Sequence, residues 1–222
     1  MARFKDREKA LALRIQGMSY SQIKKVMGLS KSTLSSWLRN YPLSKERIRE
    51  LRGCNEQRIE RYRETMREKR ENKMKEIYQC QKKNLLPLKD CELFMMGLGL
   101  YWGEGTKCRQ DGLSVSNTDP AIINFFIHWL DKFLGVPKGK VRIVLQLYSN
   151  MDVNKEIKFW SEEIKIPLLQ FTKPYVKKNS SERINHKGSF GHGTCNARIN
   201  DVSLAQKIFM SLKVISDKYG KG

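Results

Sequence analysis

The chain is expected to adopt an α+β fold: an all-α N-terminal segment, a charged helical linker, and a C-terminal mixed α/β domain with an antiparallel sheet. Three observations predict it. Two short helical patterns flank a Gly-Leu-Ser break between residues 18 and 39, a densely charged helical period runs from Ser44 to Lys83, and from Leu88 onward helical and strand-like apolar runs alternate. These patterns divide the 222 residues into 1–43, 44–87 and 88–222. That length exceeds one average domain, and a 40% hydrophobic content is enough to bury one core.

Charge narrows the partner. Lys and Arg total 43 against 23 Asp and Glu, a formal +20, which favours a polyanion through counterion release and long-range steering. Residues 1–89 carry 24 basic and 10 acidic side chains, so most of that excess lies at the front. No apolar run approaches the roughly 18 residues of a spanning helix, which leaves nucleic acid favoured over a membrane. The N-terminus runs straight into a charged helical pattern without a signal-peptide profile, so a cytoplasmic, nucleoid-associated protein is expected. Cys54, Cys80, Cys91, Cys108 and Cys195 are odd in number and form no C-x-x-C pair, which fits reduced thiols rather than disulfides or a zinc ribbon.

In the first segment a helix is expected over Glu8 to Gln16, with Leu11, Leu13 and Ile15 on its apolar side and Gly17 as its stop. Ser19 or Ser21 can cap a second helix carrying Ile23 and Val26 inward. Gly28-Leu29-Ser30 makes the turn, and Lys31 to Arg39 forms a third helix with Leu34, Trp37 and Leu38 packing back. The run from Ser19 to Leu38 resembles the helix-turn-helix of resolvases and transposases. In such a motif the last helix enters the major groove and its early exposed side chains approach base edges. The resemblance therefore implies base-edge contacts from Lys31, Ser32, Thr33, Ser35 and Ser36, with Lys24, Lys25, Lys31 and Arg39 on phosphates. The expected partner is double-stranded DNA.

The middle segment mixes both signs of charge, with Ile48, Leu51, Ile59, Tyr62, Met66, Met74 and Ile77 spaced mostly by three or four. A long solvated helix follows, broken near Gly53 and closed by Leu85-Leu86-Pro87. It serves as a spacer, or as an arm that pairs two chains or lies along phosphates. Beyond it, helices are expected over Asp90–Gly103, Asp119–Leu134, Asp152–Ile164 and Val202–Lys213. Strands are expected over Gly112–Asn117, Lys140–Tyr148, Gln170–Lys177 and Thr194–Asn200, with a polar loop from Lys178 to Gly193. Phe125, Phe126, Trp129, Leu130, Phe133, Leu134, Phe159 and Trp160 recur as core residues, and His128 as a packed or interfacial side chain.

The least ordinary stretch is Leu93 to Lys107. Glycine costs a helix roughly 1 kcal/mol relative to alanine, so Gly97, Gly99 and Gly103 call for a packing reason, which close approach of another helix supplies. The run Gly97-Leu98-Gly99-Leu100-Tyr101-Trp102-Gly103-Glu104-Gly105 resembles the nine-residue signature of the LAGLIDADG homing endonucleases. Leu113 to Pro120 and a helix ending at Phe133-Leu134-Gly135 are similar to the family's continuation, so the likeness spans about residues 90 to 213. Trp102 stands where the family usually has a first acid, Glu104 replaces aspartate, and a single copy is present.

The resemblance implies that Gly97, Gly99 and Gly103 form a homodimer interface, and that Glu104 is the catalytic and metal-binding acid. Two Glu104 carboxylates would then hold Mg²⁺ for hydrolysis of DNA phosphodiesters. Lys107, Ser116, Asn117 and Lys173 are expected as polar contacts to DNA beside it. Some proteins of this kind carry a helix-turn-helix and regulate transcription without cutting, which is the alternative expectation. His186, His192 and Cys195 lack a fourth partner for zinc, and the basic run Tyr175, Lys177, Lys178, Arg183 and Lys187 is compatible with phosphate contacts or with a solvated loop.

Overall fold

The computed structural model describes residues 4–51, 53–108, 111–178 and 191–220. The chain divides into two units, Met1–Leu86 and Pro87–Gly222, so residues 44–86 fall in the same unit as the first three helices. The fold is α+β, as the alternation of patterns predicts.

In the first unit α1 spans Phe4–Ile15, α2 Tyr20–Met27, α3 Lys31–Leu38, α4 Lys45–Glu50 and α5 Cys54–Leu85. Ala10, Tyr20, Ile23, Leu34 and Leu38 form the buried centre, with Leu11, Leu13, Met18, Met27, Leu29 and Trp37 packed around it. Two expected inward residues face out instead: Ile15 is 77% exposed and Val26 57%. Helix α1 begins four residues earlier than Glu8, and its period puts Ala10 and Arg14 on the inner face, turning Ile15 to solvent. The break near Gly53 is present, since α4 ends at Glu50 and α5 starts at Cys54. Beyond its first turns α5 is solvated, and Tyr62, Met66, Met74, Tyr78 and Leu85 are all exposed.

In the second unit α6 spans Asp90–Glu104, β1 Leu113–Asn117, α7 Pro120–Leu134, β2 Arg142–Tyr148, α8 Val153–Ile164, β3 Tyr175–Lys177, β4 Thr194–Ile199 and α9 Val202–Tyr219. The strands lie in the order β1-β4-β2-β3. β4 pairs antiparallel with β1 and β2, but β3 pairs parallel with β2, so the expected antiparallel sheet is mixed. The connection through α8 explains this, because a helical crossover brings the chain back in the direction it left. β3 is also shorter than the strand expected from Gln170. Leu168–Gln170 forms a 3-10 turn, and Pro174, just before β3, has no N–H to give a ladder. Helix α9 runs six residues past its expected end.

Alternation along the strands gives the sheet two unlike faces. Leu113, Val115, Ile143, Leu145, Leu147, Cys195, Ala197 and Ile199 are buried together with Ile123, Phe126, Ile127, Trp129 and Leu130 of α7. Ser114, Ser116, Val144, Gln146, Thr194, Asn196 and Arg198 point the other way and are partly exposed. Helix α7 is set by sequence at both ends: Asp119 Oδ1 accepts from the Ala121 N–H with Pro120 in the first turn, and Gly135 closes the helix at φ 65°. Of the expected core residues Phe126, Trp129, Leu130 and Trp160 are buried, Phe125, Phe133, Leu134 and Phe159 are partly so, and His128 is exposed.

Candidate nucleic-acid interface

The turn between α2 and α3 is built by side chains that replace missing helix hydrogen bonds. Ser19 Oγ accepts from the Gln22 N–H at 3.2 Å while the Ser19 N–H donates to Gln22 Oε1 at 2.8 Å, a reciprocal cap that starts α2. Gly28 ends it at φ 66°, a conformation that costs a Cβ-bearing residue. Ser30 then caps α3, its Oγ accepting from the Thr33 N–H at 3.1 Å. With α2 and α3 each eight residues long, these caps matter more than propensity.

Helix α3 turns Leu34 and Leu38 inward, which leaves Ser32 and Ser36 exposed on its outer side, with Arg39 and Asn40 exposed in the turn that follows. Lys31, Lys24 and Lys25 are exposed as well. Thr33 is half-buried and its hydroxyl lies 2.8 Å from Ser30 Oγ, within the cap. Ser35 is elsewhere: it is half-buried and accepts from Arg63 of α5 at 2.9 Å. Asn40, not singled out by the sequence pattern, is exposed two residues past the end of α3, and an asparagine amide can pair with adenine in the major groove.

Beneath this face lies a buried charge cluster that the hydrophobic period does not announce. Arg14 and Glu60 form a two-pronged pair at 3.1 and 2.9 Å, each side chain only 3% exposed. Arg14 also donates to the carbonyls of Tyr41 at 2.8 Å and Met18 at 2.9 Å, and Glu60 accepts from the Tyr20 N–H at 2.9 Å. The Tyr20 ring carries the Arg14 guanidinium at 4.6 Å and that of Arg63 at 3.9 Å. Burial pushes the Tyr20 phenol above its ordinary value, against the lowering influence of both arginines. Through Glu60 and Arg63, α5 is fastened to α1, α2 and α3. The one sequence signal for this was Arg14 itself, a cation on the inner face of α1.

In the second unit, Glu104 is the last residue of α6 and is exposed. Asn117 Nδ2 donates to its Oε2 at 3.4 Å, and Asn117 Oδ1 accepts from the Asp119 N–H at 2.9 Å. Lys107 Nζ donates to the Gly105 carbonyl at 2.9 Å, and Ser116 Oγ accepts from Asn196 at 2.6 Å on the polar sheet face. Lys173 is exposed, away from these in the chain. The end of α6 is held by Tyr101, whose phenol donates to the Thr106 carbonyl at 2.7 Å and is pushed up to about 12 by burial.

The three glycines of α6 are not alike. A Cβ on Gly97 would run into the Trp129 ring, so its packing partner is α7 of the same chain and not a second copy. Gly99 and Gly103 face open space and share one side of the helix with the exposed Met95, Met96 and Trp102.

Among the described residues no group of three His, Cys, Asp or Glu side chains could hold a metal ion. Glu104 with one amide neighbour does not make a Mg²⁺ site within a single chain. Zinc fares no better: Cys195 faces the core with its thiol pushed up to about 12 by burial, His192 Nδ1 lies 2.7 Å from Glu156 Oε2 and stacks on Phe159, and His186 lies outside the described residues. Arg183 and Lys187 also lie outside them, while Tyr175 is 62% exposed.

No helix among the described residues is long and apolar enough to cross a membrane. Neither the curated proteins nor the solved structures provide a significant match to the chain. Residues 1–47 match the family of homeodomain-like domains, whose extent takes in α1, α2 and α3, and which supports a helix-turn-helix at the N-terminus.

Proposed function

We propose that the chain is a double-stranded DNA-binding protein that sets α3 in the major groove. The observation that carries this reading is the outer side of α3, where Ser32 and Ser36 stand exposed on a helix started by the Ser30 cap and followed at once by the exposed Arg39 and Asn40. Lys24, Lys25 and Lys31 flank it as phosphate contacts, and the match to homeodomain-like domains supports the same assignment. Ser35 is withdrawn from the base-reading set because Arg63 holds it. Selection of duplexes by the full chain tests the division of labour. Replacing Ser36 and Asn40 by alanine relaxes the selected sequence, whereas replacing Lys24 and Lys25 weakens binding to all duplexes alike; an unchanged selected sequence in the first variant contradicts the groove assignment.

The open side of α6 favours a second, finer reading: two copies pair through Gly99, Gly103 and Trp102 as a homodimer, which sets two Glu104 carboxylates near each other. Such a pair around Mg²⁺ has the composition for metal-assisted phosphodiester hydrolysis, the reaction implied by the LAGLIDADG resemblance. The polar sheet face, with Ser116, Asn196 and Arg198, would then lie on DNA. A regulator that binds without cutting uses the same surfaces and leaves Glu104 idle. Cleavage of a plasmid library in Mg²⁺ by wild type and Glu104→Gln separates the two: breaks that the variant loses establish the nuclease, and salt-sensitive binding without breaks establishes the regulator.

A further inference from the structure

At one end of the sheet, the start of β2, the end of β4 and the start of α9 enclose a cleft of about 530 Å³. Lys140, Arg142, Arg198 and Lys207 line it, together with Asn200 and Asp201. Arg142 and Arg198 are directly opposed in the β2/β4 ladder, an arrangement of like charges that disfavours the sheet unless something offsets it. Among the described residues Arg142 donates only to the carbonyls of Gly139 and Val141. The carboxylate at hand, Asp201, accepts from the Leu204 N–H as the cap of α9 and makes no ion pair with the four cations among the described residues. Four cations thus converge on one open concavity that holds a single carboxylate, and among the described residues none of the four is ion-paired. Small-molecule pockets are mostly apolar; this one is basic and opens beside the polar sheet face.

We propose that this cleft binds phosphate groups. Guanidinium pairs suit phosphate because their N–H groups meet two oxygens at once, and the flanking lysines add charge. Two sources present that chemistry, the backbone of DNA and a free phosphorylated molecule. The DNA source rests on the DNA-binding reading above; the phosphate chemistry does not.

Lys140 and Lys207 are exposed, so replacing both by alanine removes charge without opening the core. The full chain and this double variant are titrated with a short duplex over a salt series, and separately with inorganic pyrophosphate by calorimetry. The expected result is a salt slope on DNA that falls by about 1.8, at about 0.9 for each phosphate no longer neutralised, with pyrophosphate affinity reduced at least tenfold. An unchanged slope together with abolished pyrophosphate binding assigns the cleft to a free phosphorylated ligand. If wild type does not bind DNA, the DNA-binding reading fails and calorimetry alone decides the cleft. Equal behaviour of the two proteins in both titrations overturns the proposal; Arg198→Gln, tested alongside, must then also match wild type.

Discussion

The two units bury different things. The described residues of the second unit close over a continuous apolar core that runs from Leu98 through Trp129 and Trp160 to Leu212. Among the described residues, the N-terminal unit has only Ala10, Tyr20, Ile23, Leu34 and Leu38 at its centre, a small satellite of Leu43, Ile48 and Leu51, and a buried Arg14–Glu60 pair. A core that small leaves the geometry of α3 to directional contacts, so the N-terminal unit should be stiff where Arg14, Glu60 and Arg63 act and should fail when they are cut. The second unit should tolerate removal of single polar groups and respond instead to volume.

The largest effect that would break this contrast is at the buried pair. Glu60→Ala leaves Arg14 charged and unpaired, a destabilisation of about 3–5 kcal/mol; thermal melts should show it in the N-terminal unit, with the other unit's transition unmoved. Next comes Gly97→Ala, which forces the Trp129 ring aside and should cost the second unit about 1–3 kcal/mol. Smaller and of opposite sign is Gly99→Ala. Its Cβ meets open space, so denaturant melts of the monomer should show a gain of about 0.5–1 kcal/mol from helix propensity. A larger residue at Gly99 sharpens this further, since it should lower the mass seen by light scattering if α6 pairs two chains and leave it unaltered if that side is free.

The most gradual effect is alkaline. Tyr101 ionises at about 12 in the folded chain against 10.0 ordinarily. The unfolded chain therefore loses the proton first, and stability of the second unit should be intact below pH 10 and decline from there toward pH 12. Absorbance of tyrosinate against pH, read beside the melts, checks it; a decline that starts well below pH 10 without tyrosinate formation contradicts the assignment.

Much of the fold could be read in the order of residues. Caps, turns and apolar period are local, and Ser19, Gly28, Ser30, Asp119 and Gly135 stand at their helix ends as their chemistry requires. What could not be read is long-range. That Ser35 meets Arg63 depends on where α5 lies, 28 positions on, and that Gly97 makes room for Trp129 while Gly99 does not depends on the angle at which α6 meets α7. The direction of β3 likewise depends on the crossover through α8. Charge counting located a basic chain but not the convergence of Lys140, Arg142, Arg198 and Lys207, which come from a 3-10 turn, β2, β4 and α9.

Everything proposed for the N-terminal unit turns on the outer side of α3 meeting DNA. Anisotropy of a labelled duplex with the full chain, wild type against Lys31→Ala/Arg39→Ala over a salt series, tests it most directly. Weaker binding with a slope smaller by about 1.8 is the predicted result. Equal affinity and equal slope in the two proteins would contradict it.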